Sequence, residues 1–206
     1  MSRFRGFAAA LTLFLATNAR GTMRRRLGAV LTGLLLAAPA FAADVIIPAT
    51  VQLAVFSKVW TLDRTFPNPD RVTMAVLFQS GDRTSDSVRA DIAAATASID
   101  GLRCVFVDLD SGEPLAPRIP ADVSVLYVAP LRGYDLRALT RLARKRRLRT
   151  LTGVRAYVDA GVAVGLTVRN DRPLILINLR AARAEGSQFS SQLLKLARIV
   201  GSEGAL

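Results

Sequence analysis

Asp108 and Asp110 flank Leu109 at the exit of the apolar run "LRCVFVDL", and Glu113 follows three residues on. Two carboxylates so close behind a buried strand have the donor chemistry to hold a magnesium ion, with Glu113 in reach. A metal-dependent phosphoryl-transfer site uses such a pair. It also needs a basic residue and further acids at suitable places, and none is identifiable here. The same residues open like a calcium loop, but no terminal glutamate follows at the required spacing. The competing reading is plainer: aspartates are turn residues at a strand exit. The chain has no histidine. That removes imidazole general bases, His-based triads and His-containing zinc sites.

In an open parallel sheet, ligands bind outside the carboxyl ends of the strands. Three loops meet that condition: "QSGD" (79–82), "DLDSGE" (108–113) and "PLRGYD" (130–135). "QSGD" precedes a helix, so its backbone N–H groups can cradle an anion. It lacks the lysine and spacing of a nucleotide P-loop. The candidate ligand crevice is therefore Gln79, Ser80, Gly81, Asp108, Asp110 and Arg132.

Three further features carry reactive or charged groups. Cys104 is the one cysteine, so no internal disulfide is available, and a lone thiol inside an apolar run is expected to pack in the core. The densest positive run is "RKRRLR" (144–149). It suits anionic lipid or nucleic acid, but it also lies where a helix should end, and cations there favour the dipole. Few aromatics accompany it, so nucleic acid is not an expected partner. The pair Ser190-Ser191 lacks the glycines of a nucleophile elbow and has no histidine to activate it. Either serine is expected to cap a helix instead.

The elements that would position these groups follow from periodicity. Residues 48–60 read as a helix with Val51, Val55 and Val59 on one face and Leu53, Phe56 and Trp60 beside it. Apolar runs at 72–78, 102–109 and 123–129, with the shorter "RTLTGV" (149–154), read as strands of a covered sheet. Between them, a helix should begin near Ser85 with Val88, Ile92, Ala95 and Ile99 inward. Another is capped by Asp135 with Leu136, Leu139, Leu142 and Ala143 inward. "VAVGLTVRNDRPLILIN" reads as a hairpin. Asn178 should cap a short helix over 179–184 that Gly186 ends. A final helix should carry Phe189, Leu193, Leu196 and Val200 on its apolar stripe. The pattern predicts an α/β three-layer sandwich. It has a mainly parallel central sheet, helices on both faces and a C-terminal β-hairpin at an edge.

The first 42 residues are of a different kind. Arg24-Arg25-Arg26, the apolar run Leu27–Leu36 and Ala40-Phe41-Ala42 form the three regions of a cleavable export signal. Cleavage is expected after Ala42, leaving a single domain over 43–206. A second apolar run at 7–16 leaves two accounts: translation starts at Met23 rather than Met1, or the two runs form a two-span membrane anchor, although each is shorter than the ~20 residues a span needs. The whole chain carries a formal charge of +12. Removing residues 1–42, with six arginines and no acid, leaves +6.

The stretch "GVAVGLTVRNDRPLILINLRAARAEGSQFSSQLLKLARIV" resembles the C-terminal signature of the YfiR/HmsC-like family, in which a hairpin leads into N-L-x-A-A-R-x-x-G-x-x-[FI]-S-S-x-L-L-x-L-A. Asn178, Leu179, Ala181, Ala182, Arg183, Gly186, Phe189, Ser190, Ser191, Leu193, Leu194, Leu196 and Ala197 fit it. "TLTGVRAYVDAGVAVG" and the opening helix look similar in place, so the resemblance covers roughly 48–200. It implies a periplasmic, non-enzymatic α/β protein without a cofactor. The expected partner is an inner-membrane signalling protein, a diguanylate cyclase or a sensor kinase. A homodimer is expected by family analogy and because two-fold assemblies are common. The disulfides of the family's best-known member have no counterpart here. The competing function is binding of a small molecule or anion at the strand-end crevice.

Overall fold

The computed structural model describes residues 47–201. The expected export signal and its cleavage point lie outside these residues. The described residues form one compact unit.

The sheet has seven strands in the order β2-β1-β3-β4-β5-β6-β7. They are β1 (Val72–Phe78), β2 (Leu102–Asp108), β3 (Val125–Val128), β4 (Arg149–Thr152), β5 (Val164–Arg169), β6 (Arg172–Asn178) and β7 (Ala197–Val200). Pairing is parallel from β2 through β5, antiparallel between β5 and β6, and parallel again between β6 and β7. The helices are α1 (Ala49–Thr61), α2 (Arg83–Thr96), α3 (Leu115–Arg118), α4 (Leu136–Arg146), α5 (Arg155–Asp159), α6 (Leu179–Ala184) and α7 (Ser191–Leu196).

Successive side chains of a strand point to opposite faces, and here both faces are covered. Met74 and Val76 of β1 and Val125 and Tyr127 of β3 join Leu53, Phe56, Ile92 and Leu193 in one apolar cluster. Ala75, Leu77, Leu126 and Val128 turn the other way, against Ile119, Leu139 and Ala143. That two-sided burial is why the central strands read as unbroken apolar runs rather than alternating ones. The fold is the expected three-layer α/β sandwich.

Three local expectations are corrected. Helix α1 buries Gln52, Leu53, Phe56, Val59 and Trp60, while Val51 remains 37% exposed. Gln52 takes an inward position because it serves Tyr127: the buried tyrosine hydroxyl donates to Gln52 Oε1 at 2.9 Å, and Gln52 Nε2 donates to the Ile47 carbonyl at 2.8 Å. A polarity-based helical face misses that pair. Helix α2 begins at Arg83, with Asp82 as its cap. The Ser85 hydroxyl instead accepts the Gln79 N–H at 2.9 Å.

The third correction lies at the C-terminal end. The final helix stops at Leu196, and residues 197–200 form β7 beside β6. The hairpin β5–β6 sits at that end of the sheet as expected, but β7 takes the edge itself. Helical spacing placed Leu196 inward, whereas it is 63% exposed. The β-branched pair Ile199-Val200 is better suited to a pleated surface, and β6 offers it an open ladder.

Candidate functional site

The carboxyl ends of the parallel strands bring the predicted crevice residues together. Gln79 follows β1, Asp108 ends β2, and Arg132 follows β3. The Gln79 side chain spans two loops: its Nε2 donates to Asp110 Oδ1 at 2.9 Å and to the Arg132 carbonyl at 3.2 Å, while its Oε1 accepts the Arg132 N–H at 2.5 Å. Arg132 thus joins the crevice through its backbone. Its guanidinium turns to the Asp82 carboxylate, Nε to Oδ2 2.5 Å.

The N–H groups expected to cradle an anion are already occupied by carboxylates of the chain itself. Ser80 N–H donates to Asp108 Oδ1 at 3.1 Å, and Gly81 N–H donates to Asp110 Oδ2 at 3.1 Å. Asp108 Oδ1 also accepts the Asp110 N–H at 3.0 Å. Partial burial works against ionising Asp108, but the bonds from Ser80 and Asp110 outweigh it and hold its pKa below the ordinary carboxylate value. Asp82 is held low chiefly by the Ser85 N–H, with Arg132 adding a favourable charge. Glu113 does not converge on the aspartates; its carboxylate lies 3.5 Å from Arg118 Nε. Among the described residues no three His, Cys, Asp or Glu side chains come together as a metal cluster. The acid pair serves as the turn-stabilising ligand of the neighbouring loop.

Cys104 is half-buried, with its sulfur 3.1 Å from the Thr96 hydroxyl. Burial raises its pKa. The run 144–149 divides. Arg144, Lys145 and Arg146 occupy the last turn of α4, and Arg147 caps it with φ 54°. Arg146 donates to the carbonyls of Ile119 and Pro120. Arg149 points inward to Asp63.

The opposite, amino-terminal end of the sheet holds the groups that sequence reasoning missed. Asp63 is buried and accepts from Thr65 N–H (3.1 Å), Thr65 Oγ1 (2.7 Å), Gln188 N–H (2.9 Å) and Arg149 Nε (3.3 Å). Burial opposes its charge, yet the Gln188 N–H first, and then the Thr65 hydroxyl and N–H, win and lower its pKa. Glu185 is fully buried, held by Thr150 N–H at 2.9 Å and Thr150 Oγ1 at 2.6 Å. Burial pushes its pKa up to about 8 despite those bonds and the Arg144 and Arg149 charges. Beside Asp63 lies a cavity of about 10 Å³ lined also by Trp60, Phe66, Phe189 and Arg149, room for about one water. Asp63 and Arg149 are 86 positions apart in sequence, and no spacing rule links them.

The family-signature positions cluster around this end. Asn178 Oδ1 accepts the Ala181 N–H at 3.0 Å, and its Nδ2 donates to the Val158 carbonyl. Gly186 ends α6 with φ 91°. Ser190 Oγ accepts the Leu193 N–H at 3.3 Å, capping α7. Ser191 is exposed on the first turn. Ala182 and Leu193 are buried, Leu179, Phe189 and Leu194 pack against the same core, and Arg183 is exposed. A conventional sequence signature is thus a set of caps and packing positions. A family profile described as YfiR/HmsC-like matches residues 56–198.

The chain belongs to the YfiR/HmsC-like family. At family level this supports a periplasmic regulatory role. None of the curated proteins matches the chain.

Solved structures share the architecture of this YfiR/HmsC-like chain at low identity. A conserved domain protein from Vibrio cholerae O1 biovar El Tor has 13% identity and a TM-score of 0.59, covering 76% of this chain and 61% of its own. The ligand-free, open form of CD0873, a substrate binding protein with adhesive properties from Clostridium difficile, has 12% identity and a TM-score of 0.58, covering 77% and 61%. An ABC domain in complex with L-Trp from Streptococcus pneumoniae has 15% identity and a TM-score of 0.51, covering 74% and 60%. The matches thus cover about 60% of each of these longer chains. At such identities the likeness speaks for the fold alone.

Proposed function

We propose that this chain is an exported, non-enzymatic regulator that docks on the periplasmic part of an inner-membrane signalling protein, a diguanylate cyclase or a sensor kinase, and modulates its output. The observation that carries this reading is the family match across 56–198. The crevice geometry agrees with it. The one acid pair that resembled a catalytic site spends its oxygens on Ser80, Gly81 and Gln79. No cofactor or nucleic acid is part of the reading. Export depends on the signal expected in residues 1–42, with mature protein from Ala43. The test is crosslinking in cells followed by identification of the captured protein. Repeated recovery of one integral-membrane cyclase or kinase is the expected result. Capture that never includes an inner-membrane signalling protein would sink the reading.

A second reading is favoured by the likeness to a substrate binding protein and to an ABC domain solved in complex with L-Trp. A small anionic ligand at the strand-end crevice would have to displace the Asp108 and Asp110 carboxylates from Ser80 and Gly81. Thermal shift with a panel of anions and amino acids tests this, using the natural chain and Asp110→Ala. Stabilisation that appears or grows in the variant supports a displaceable internal ligand. No stabilisation of either protein rejects it. The two readings are compatible, since a ligand with different affinity for two conformations shifts their balance.

A further inference from the structure

The outer face of α4 has a composition that its position in the fold does not require. The helix carries Arg137, Arg141, Arg144, Lys145 and Arg146 and no acidic residue. Arg146 is spent on the carbonyls beside α3. The other four are exposed. Among the described residues none of the four takes part in an ion pair. Spacings of three, four and eight residues place them on one side of a helix. At 1.5 Å per residue, Arg137 and Lys145 are about 12 Å apart along the axis.

Dipole complementarity accounts for the last turn only. Arg137 stands in the first turn, where a cation opposes the dipole, and Arg141 stands in the middle. The two other helices with a well-populated solvent face differ. Helix α2 sets Asp86 and Asp91 against Arg83 and Arg89, with Arg89 paired to Asp86, and α1 exposes Lys58 among neutral residues. Uncompensated positive charge is therefore denser on α4 than on either of the two other long helices.

We infer that the exposed face of α4 is an electrostatic docking surface for an anionic phospholipid membrane. A protein partner normally meets an apolar centre within a polar rim. Among the described residues the large exposed hydrophobic side chains are Val51, Phe106 and Leu196, on α1, β2 and α7, and none is on α4. A lipid surface needs no such centre, because charge alone attracts a basic segment to it. This inference goes beyond docking on a signalling protein: it names the surface on which the module would lie while doing so, and it does not depend on that partner's identity.

The test uses the mature chain expected from Ala43 onward, which contains every residue of the two apolar clusters found among the described residues. Co-sedimentation is measured with phosphatidylcholine vesicles, with and without about 30 mol% phosphatidylglycerol, since each basic side chain near such a surface is worth roughly fivefold in partition. The variant is Arg137→Gln, Arg141→Gln, Arg144→Gln and Lys145→Gln together, glutamine being a good helix former. A matched-charge control changes Arg169, Arg172, Arg180 and Arg198 to glutamine, four exposed arginines on other elements. Circular dichroism confirms that each is folded. Binding should require phosphatidylglycerol, weaken as salt rises, and fall at least tenfold in the α4 variant but much less in the control. Absence of vesicle binding, or equal losses in the two variants, overturns the inference. Retention on immobilised polyglutamate without vesicle binding overturns it too, and assigns the face to an acidic polypeptide.

Discussion

The two ends of the parallel strands both place an arginine against a shielded aspartate, but only one of the two arginines is buried with its partner. At the amino end, Arg149 and Asp63 expose 12% and 1% of their side chains; at the carboxyl end, Arg132 and Asp82 expose 83% and 7%. The buried pair joins the end of α1, the start of β4 and the loop before α7, because Arg149 also reaches the Thr65 and Gly186 carbonyls. Its guanidinium lies 5.6 Å from the Phe66 ring centre as well. The second pair ties two neighbouring loops; Asp82 is shielded, but the Arg132 guanidinium stands largely in water, and an ion pair whose cation stays hydrated contributes little. The amino end is thus a sealed clamp. The carboxyl end is a set of loops held by replaceable bonds, the side on which such sheets place ligands.

Breaking the clamp should have the largest effect. Asp63→Ala leaves a buried guanidinium and two N–H donors without their acceptor. Removing one partner of such a pair costs about 3–5 kcal/mol. Urea denaturation should show that loss, and the equivalent change at the other end, Arg132→Ala, should cost under about 1 kcal/mol. Similar losses for both would erase the distinction between the ends.

Glu185 sharpens the comparison through pH. Its folded pKa is raised from 4.5 to about 8. Below about pH 4.5 both folded and unfolded chains are protonated there, and the residue adds no pH dependence. Between about 4.5 and 8 the folded chain keeps a proton that the unfolded chain has released. Stability from this group is therefore complete in acid and is lost as pH rises through that window, by up to about 1.4 kcal/mol per unit. Above the folded pKa the loss is complete. Glu185→Gln retains an acceptor for the Thr150 N–H and carries no charge. Melts from pH 5 to 8 should be flatter for the variant, with its advantage greatest at pH 8. An unchanged slope would mean that Glu185 is ionised in the folded chain.

What the sequence made legible divides along the same line. The strands could be read because burial on both faces leaves unbroken apolar runs, and Asp135, Asn178, Gly186 and Ser190 because caps act within four residues of themselves. The crevice residues could be gathered because topology delivers strand ends to one side of a parallel sheet. The clamp was illegible. Asp63 meets Arg149 and Gln188 only after the whole sheet is assembled, and Glu185 looks like an ordinary polar residue just past a short helix. β7 escapes a periodicity reading because Leu193 and Leu196 fit a helical period that the sheet edge overrides at the very next residue, Ala197.

The serine pair gives a smaller test, still at the amino end. Ser190→Ala removes the side-chain acceptor for Leu193 N–H and should cost about 1 kcal/mol, as lost N-caps do. Ser191→Ala, at an exposed position without such a bond, should stay within about 0.5 kcal/mol. Equal costs would mean that the hydroxyls act through something other than helix capping.

A small stability effect is also expected at the carboxyl end. Asp110 is exposed, and its carboxylate satisfies Gly81 N–H and Gln79 Nε2 where water can reach both. A hydrogen bond that water can replace contributes little net stability, so Asp110→Ala should cost no more than about 1 kcal/mol. Its informative readout is local. Amide hydrogen exchange should quicken at Ser80 and Gly81 while β1 and β3 keep their protection, because loops open with far less free energy than core strands. If β1 loosened as well, the carboxyl end would be part of the clamp, and the aspartates would be structural in the same sense as Asp63. If only the loop loosened, the strand-end N–H groups would be shown to be held by a ligand that the fold can do without, which is the condition any external anion would need in order to compete for them.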